Sequence, residues 1–194
     1  MIIFNNQKEL KEHLSKLKIS LIGFVPTMGA LHQGHISLIS KSKALCDITV
    51  CSIYVNPTQF NKSDDFLNYP KKIKDDIQLL EKNNCDILYS PEDVDLYKRD
   101  EIAKNYNFNG IELSLEGKYR PGHFNGMATI VEKLLNIVKP QMVFFGEKDL
   151  QQLMIIKELV KQNNISTKVI GCPIIREKNG LAKSSRNQHL SKTD

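Results

Sequence analysis

The chain has 194 residues, room for one hydrophobic core, and its 41% hydrophobic content is ordinary for a globular domain in water. No run of about 18 apolar residues offers a membrane span, and the opening MIIFNNQKEL has no basic leader, signal-length apolar stretch or cleavage site. A cytoplasmic protein without a membrane partner is therefore expected, and the net charge of +5, spread evenly with no stripe interleaved with aromatics, argues for an anionic small ligand rather than nucleic acid.

In chain order, Asn6 stands three residues before Glu9 and ahead of Leu10, Leu14 and Leu17, the pattern of a capped first helix. LIGFVPT (21–27) is an apolar run of strand type, and the next helix starts near Gly34. ITVCSIYV (48–55) is a second such run. In residues 69–84, Ile73, Ile77 and Leu80 recur at i, i+4 and i+7, which predicts a helix before the short strand CDILYS (85–90). The stretch from Leu96 to Asn125 lacks periodicity and is expected to be a long functional excursion. Residues 125–140 place Met127, Ile130, Val131, Leu134 and Val138 on one stripe that Pro140 ends. MVFFG (142–146) follows as a strand, then a helix from Asp149 carrying Leu150, Leu153, Ile156 and Val160, then the strand TKVIG (167–171).

Strands alternating with such helices imply right-handed crossovers: an α/β fold, a doubly wound, Rossmann-like parallel sheet of about five strands with helices on both faces. Ligands of such sheets bind beyond the carboxyl ends of the strands, at the switch in strand order. TMGALHQGH, NPTQF and GEKDLQQ each follow a strand and fall there. Cys46, Cys51, Cys85 and Cys172 stand singly in apolar runs, with no CxxC pair, and are expected to be buried free thiols.

His32 and His35 sit where a helix begins. Gly29 allows a backbone turn and Gly34 a close approach, while the free N–H groups of a helix start form an anion site. Two imidazoles there can donate to phosphate oxygens and, if protonated, neutralise charge on a departing phosphate. Purely structural histidines and metal ligands are the other readings. The pattern is neither GxGxxG nor GxxxxGK[ST], and His13, His123 and His189 lie far apart without acidic partners at zinc spacing.

VPTMGALHQGH resembles the HxGH signature of the nucleotidyltransferase superfamily. With SIYVNPTQF, YP at 69–70, YRPGHFNGMATIV, VFFGEKDLQQ and GLAKSSRNQHLS in order, nearly the whole chain resembles the pantothenate synthetase (pantoate–β-alanine ligase) family. That resemblance implies a ligase forming a carbon–nitrogen bond. Pantoate and ATP give pantoyl adenylate and pyrophosphate, then the β-alanine amine attacks the activated carbonyl and AMP leaves. Both steps build negative charge on leaving phosphates, and neither demands a protein nucleophile. The resemblance further implies Mg²⁺ with the nucleotide, no metal held by the protein, and a homodimer.

Carried over position by position, Pro26, Thr27, Met28, Gly29, Ala30, Leu31, His32, Gln33, Gly34 and His35 form the first ATP-contacting stretch. His35 stands where the family has a proton donor, although charge stabilisation is the better-motivated role, because phosphate at neutral pH hardly needs a proton to leave. Gln59 and Gln152 would hold pantoate from opposite sides, an amide offering both donor and acceptor. Asn56, Tyr69, Arg120 and His123 match further pantoate and β-alanine positions, or Arg120 and His123 anchor the covering loop. Of Gly146, Glu147, Lys148 and Asp149, all assigned to ATP, Lys148 would meet phosphates, while Asp149 accepts from the ribose or caps the helix. The main chain at Ile175 would meet adenine, and Lys183, Ser184, Ser185 and Arg186 would form a phosphate-binding loop. His32, His35, Lys148 and Arg186 are the expected catalytic set. Lys183 replaces the usual Met or Leu of the family, and its charge faces either the phosphates or solvent.

The family continues past this length into a smaller C-terminal domain. Residues 1–175 are therefore expected to be the nucleotide-binding domain and 176–194 a phosphate-binding hairpin or loop at the start of a missing lid, with turnover impaired without it. The alternatives are another HxGH enzyme, such as a coenzyme adenylyltransferase, or an ATP-binding module without turnover.

Overall fold

Short runs rich in β-branched and aromatic residues form six strands, one more than the sequence suggests. In the computed structural model, which describes residues 1–17, 20–61 and 63–190 (without the side chains of Ser63, Gln188 and His189), they are β1 (Ile2–Phe4), β2 (Ile22–Thr27), β3 (Ile48–Ile53), β4 (Ile87–Tyr89), β5 (Met142–Gly146) and β6 (Lys168–Cys172). The helices are α1 (Gln7–Lys16), α2 (Gln33–Leu45), α3 (Ser63–Leu67), α4 (Ile73–Lys82), α5 (Asp93–Leu96), α6 (Glu116–Tyr119), α7 (His123–Val138) and α8 (Leu150–Gln162). The last four positions of the expected 176–194 segment lie outside the described residues.

All strand pairings are parallel, in the order β1-β4-β3-β2-β5-β6. From β2 the chain steps outward through β3 to β4, then crosses back to place β5 on the other flank of β2, with β6 beyond. The switch in strand order therefore falls between β2 and β5, where a crevice opens past their carboxyl ends. β1, the unexpected strand, pairs with β4 at the edge.

Alternation along each strand fills the two faces separately. Phe24, Val50, Val143 and Phe145 pack with α1, α7 and α8, whereas Val25, Cys51, Leu88 and Phe144 pack under α2 and α4. α1 is capped as its sequence suggests, Asn6 Oδ1 accepting from Glu9 N at 2.9 Å. α7 starts at His123, two residues before the expected start, and ends at Lys139 in a left-handed conformation just before Pro140. Two stripe residues expected inside are not: Ile73 and Leu150 are 41% and 57% exposed. The four cysteines are free, three of them buried, as expected. Among the described residues no helix is long and apolar enough to cross a membrane.

Phe144 is fully enclosed under α2 and α4. Phe144→Ala should lower the unfolding free energy by about 3–5 kcal/mol in urea titrations, through lost burial and a residual cavity. A loss below about 1 kcal/mol would show that this layer repacks freely.

Candidate active site

The crevice between β2 and β5 is a cleft of about 530 Å³. Its floor is the end of β2 and the start of α2. Pro26, Thr27, Met28, His32, Gly34 and His35 line it, whereas the rest of the expected ATP-contacting stretch does not. Gly29 and Ala30 are buried behind the wall, Leu31 turns with them, and Gln33 is exposed on the first turn of α2.

His32 and His35 solve a backbone problem at that helix start. The first N–H groups of an α-helix have no partner within the helix. His32 Nδ1 accepts from Gly34 N at 3.1 Å, and His35 Nδ1 accepts from His32 N at 3.2 Å. The arrangement is a capping box built from two imidazoles instead of a hydroxyl and a carboxylate. Their rings lie 4.1 Å apart between centroids. A Cβ on Gly34 would fall 2.8 Å from His32 Cε1, so this ring position requires glycine there.

The cap also decides protonation. A ring nitrogen that accepts an N–H carries no proton, so each neutral ring bears its proton on Nε2. Burial, then His32 and Lys148, push the His35 pKa down to about 3; burial, then Lys148 and Lys183, lower that of His32. In the free protein both rings are uncharged donors at neutral pH, so of the two modes open to them, donation and cationic neutralisation, the fold favours donation.

The second wall comes from β3 and α7. Gln59 is 7% exposed in the turn after β3. Asn56 lies deeper, and all four of its hydrogen-bonding positions are engaged. Its Nδ2 donates to Gly126 O at 3.1 Å and Gln59 Oε1 at 3.3 Å, while Oδ1 accepts from Tyr97 OH at 2.8 Å and Thr58 Oγ1 at 3.2 Å. In the free protein Asn56 therefore lines the cleft while holding Gln59 in place. His123, at the start of α7, donates from Nδ1 to Gln59 O at 2.7 Å and so takes the opposite tautomer to the other two rings. Its pKa is lowered, chiefly by burial. Arg120, Tyr69 and Gln152 line the same cleft.

The third wall is basic, and each of its cations already has a carboxylate. Lys148 meets Asp149 at 2.9 Å, Lys183 meets Glu177 at 2.7 Å, Arg120 meets Glu116 at 3.2 Å, and Arg186 meets Asp65 at 3.1 Å. Asp149 stands at the start of α8 but its side chain makes no cap bond, so the expected capping role gives way to the Lys148 pair. Glu147 does not line the cleft; its carboxylate lies toward Gly171 on β6, 3.2 Å from where a Cβ on that glycine would stand. Lys183 lies beside Gly34 and His32 in the lining, with 23% of its side chain exposed, so it faces the cleft rather than open solvent. Residues 176–182 turn back as a hairpin bridged between Arg176 and Ala182, and Ile175 O accepts from Lys183 N at 2.9 Å. Ser184 caps the final turn, and Ser185 is buried against Tyr69. Tyr54, Phe60, Asp65 and Glu116 also line the cleft and were not expected there; only their position beside the NPTQ and YRPGH blocks could have marked them.

The His35 pKa has a measurable consequence. An unfolded imidazole takes its proton near pH 6.5, whereas the folded ring resists until about pH 3. Between those limits the unfolded chain binds the extra proton, so stability falls as pH drops through that window. Urea midpoints for His35→Gln should lose part of this acid slope; an unchanged slope would contradict the assignment.

The described geometry matches known proteins over the whole chain. The family model described as Pantoate-beta-alanine ligase matches residues 2–194. The chain is 50% identical to a pantothenate synthetase of Francisella tularensis subsp. novicida, covering 100% of this chain and 75% of that protein. It is 49% identical to one from Flavobacterium psychrophilum, covering 98% and 69%. A crystal structure of the Francisella tularensis pantoate-beta-alanine ligase, complexed with beta-gamma ATP and beta-alanine, superposes with a TM-score of 0.95 at 49% identity over 100% of this chain and 75% of that one. The Thermus thermophilus pantothenate synthetase gives 0.93 at 36% identity over 100% and 69%. The chain belongs to the pantoate–β-alanine ligase family.

Proposed function

We propose that the protein condenses (R)-pantoate with β-alanine through pantoyl adenylate, releasing pyrophosphate and then AMP. The observation that carries this reading is the His32–His35 cap at the switch-point crevice, which presents two neutral N–H donors beside Lys148. In the first step a pantoate carboxylate oxygen attacks the α-phosphorus of ATP, and the bond to pyrophosphate breaks. Charge grows on the departing oxygens, where the two Nε2–H groups, Lys148 and Arg186 stabilise it. Lys183, Ser184 and Ser185 add contacts to the phosphates, and the Ile175 main chain borders adenine. Gln59 and Gln152 hold pantoate from opposite sides, with Tyr69, Arg120 and His123 around it and the β-alanine amine. That amine then attacks the acyl carbon, and AMP leaves along the same donors. Because His35 is neutral, its part is hydrogen-bond donation to developing charge rather than delivery of a proton.

Mg²⁺ enters with the nucleotide. An ion of this kind keeps most of its coordination to phosphate oxygens and water. It would supply charge neutralisation on the triphosphate.

Residues 1–175 are the nucleotide-binding domain in this reading, and the hairpin from Arg176 presents the phosphate loop, a reading supported by Ser184, Ser185 and Arg186 lining the same cleft as His32. A homodimer is supported by Leu113, Leu115 and Tyr119, which are 71%, 74% and 79% exposed on the segment next to α8. Four unpaired thiols and a reaction that consumes ATP support a cytoplasmic setting.

With ATP, Mg²⁺ and pantoate the chain should release pyrophosphate, and with β-alanine added, AMP and pantothenate. Pyrophosphate formed only with a phosphate-bearing acceptor, and none with pantoate, would contradict the reading. His32→Ala and His35→Ala should each slow adenylation by roughly 10²–10³, with smaller changes in pantoate affinity. Because each ring caps the other's backbone, the double variant should lose less than the product of the two effects. An unaltered rate in a folded single variant would remove that ring from the mechanism.

A further inference from the structure

A buried carboxylate outside the cleft completes the geometry of the histidine pair. Asp76 lies on α4, where helical spacing predicts only the apolar stripe of Ile73, Ile77 and Leu80, yet it is 2% exposed. Its Oδ2 accepts from Ala30 N at 2.9 Å and its Oδ1 from Leu31 N at 2.7 Å. Those two amides belong to the corner that joins β2 to α2. The corner is left-handed at two successive residues: Gly29 takes φ +82° at no steric cost, whereas Ala30, which has a Cβ, is strained at φ +49°. Consecutive N–H groups in such a corner form a concave anion site. Here the site is filled from within the protein.

The bracing runs from Gly29 to His32 and resumes at Gly34. Gly29 N donates to Thr27 Oγ1 at 3.2 Å, Ala30 N and Leu31 N to Asp76, His32 N to His35, and Gly34 N to His32. Remove the carboxylate and two adjacent amides next to His32 lose their partners, while the left-handed corner loses what holds it. The body of α2 stays packed on the sheet through Leu38 and Ile39, but its first turn, and with it both rings, loses its tie to α4.

We propose that Asp76 is a positioning residue for adenylation: by binding the Ala30 and Leu31 amides it fixes the His32–His35 pair over the cleft and keeps the corner from competing for the phosphates. This rests on the functional reading above, so the test separates the two. Asp76→Asn keeps the shape but replaces one acceptor oxygen with an N–H that opposes a backbone N–H. Pantoate-dependent pyrophosphate release per folded molecule should fall by roughly 10- to 100-fold in kcat, the scale expected for a small misplacement, while KM for ATP and for pantoate stays within about threefold. Gly29→Ala reaches the corner from the other side, since its Cβ would stand 3.0 Å from Asp76 Oδ2. It should give the same pattern, and the double variant should be little worse than the worse single. Leu80→Ala, buried one turn further along α4, is the stability control: it should lower the melting temperature with kcat per folded molecule within about twofold.

Two further measurements do not need turnover. The amide protons of Ala30 and Leu31 should exchange faster in Asp76→Asn, and the ring nitrogen signals of His32 and His35 should shift. The proposal is overturned if kcat per folded molecule holds in both Asp76→Asn and Gly29→Ala, if KM rises by more than kcat falls, or if Leu80→Ala loses kcat equally. If the native chain itself releases no pyrophosphate with pantoate, the functional reading fails. Asp76 is then judged on the spectra: unmoved ring signals in Asp76→Asn and Gly29→Ala overturn its role, and moved signals support it.

Discussion

The first turn of α2 leaves backbone N–H groups without helical partners, and in this chain two side-chain imidazoles accept from them. A serine or aspartate would satisfy the same amides, but it would place no ring at the mouth of the crevice. Using the histidines as caps fixes three properties at once. Their orientation follows from the backbone, their tautomer follows from accepting at Nδ1, and their neutrality follows from burial together with nearby lysines. The sheet supplies the remaining requirement by starting α2 at the switch between β2 and β5. The turn after β3, α7 and the start of α8 therefore line the same cleft as the rings.

Charge in the cleft is arranged for exchange. Lys148, Lys183, Arg120 and Arg186 each rest against a carboxylate, and all eight side chains remain between 23% and 56% exposed. Pairs that wet contribute roughly 0–1 kcal/mol each, whereas a charge-assisted hydrogen bond to phosphate contributes about 1.5–3 kcal/mol. Pairs of this kind leave the cations exchangeable toward a stronger anionic acceptor without stripping water from isolated charges. The buried part of the site works in the opposite way. Asn56 is fully satisfied within the protein and transmits its rigidity to Gln59, whose Oε1 it holds while Gln59 Nε2 rests on the Met28 sulfur, so that the amide is fixed at the cleft wall.

Much of this was legible in the sequence, for identifiable reasons. Strands buried on both faces read as unbroken apolar runs, so β2, β3, β4, β5 and β6 fall where LIGFVPT, ITVCSIYV, CDILYS, MVFFG and TKVIG predict them. β1 escapes because three residues, Ile2 to Phe4, show no period and become a strand only beside β4. Apolar spacing misplaced Ile73 and Leu150, the first residues of α4 and α8, and it was silent on Asp76, because periodicity counts polar residues as outside. The HxGH stretch marked the right loop but not which of its residues turn away: Gly29, Ala30 and Leu31 face the Asp76 side, and Glu147 lies toward β6. Ion-pair partners and ring tautomers depend on three-dimensional neighbours such as Glu177 and Asp65, far from Lys183 and Arg186 in any pattern a spacing argument can see.

The most direct measurement is nitrogen-15 spectroscopy of the His32 and His35 rings in the free chain and with a non-hydrolysable ATP analogue plus pantoate. The account requires both rings to be neutral with the proton on Nε2 at neutral pH, and both Nε2 signals to move when the ligands bind while Nδ1 stays an acceptor from the backbone. Imidazolium or Nδ1–H rings in the free protein, or Nε2 signals indifferent to bound nucleotide, would contradict it.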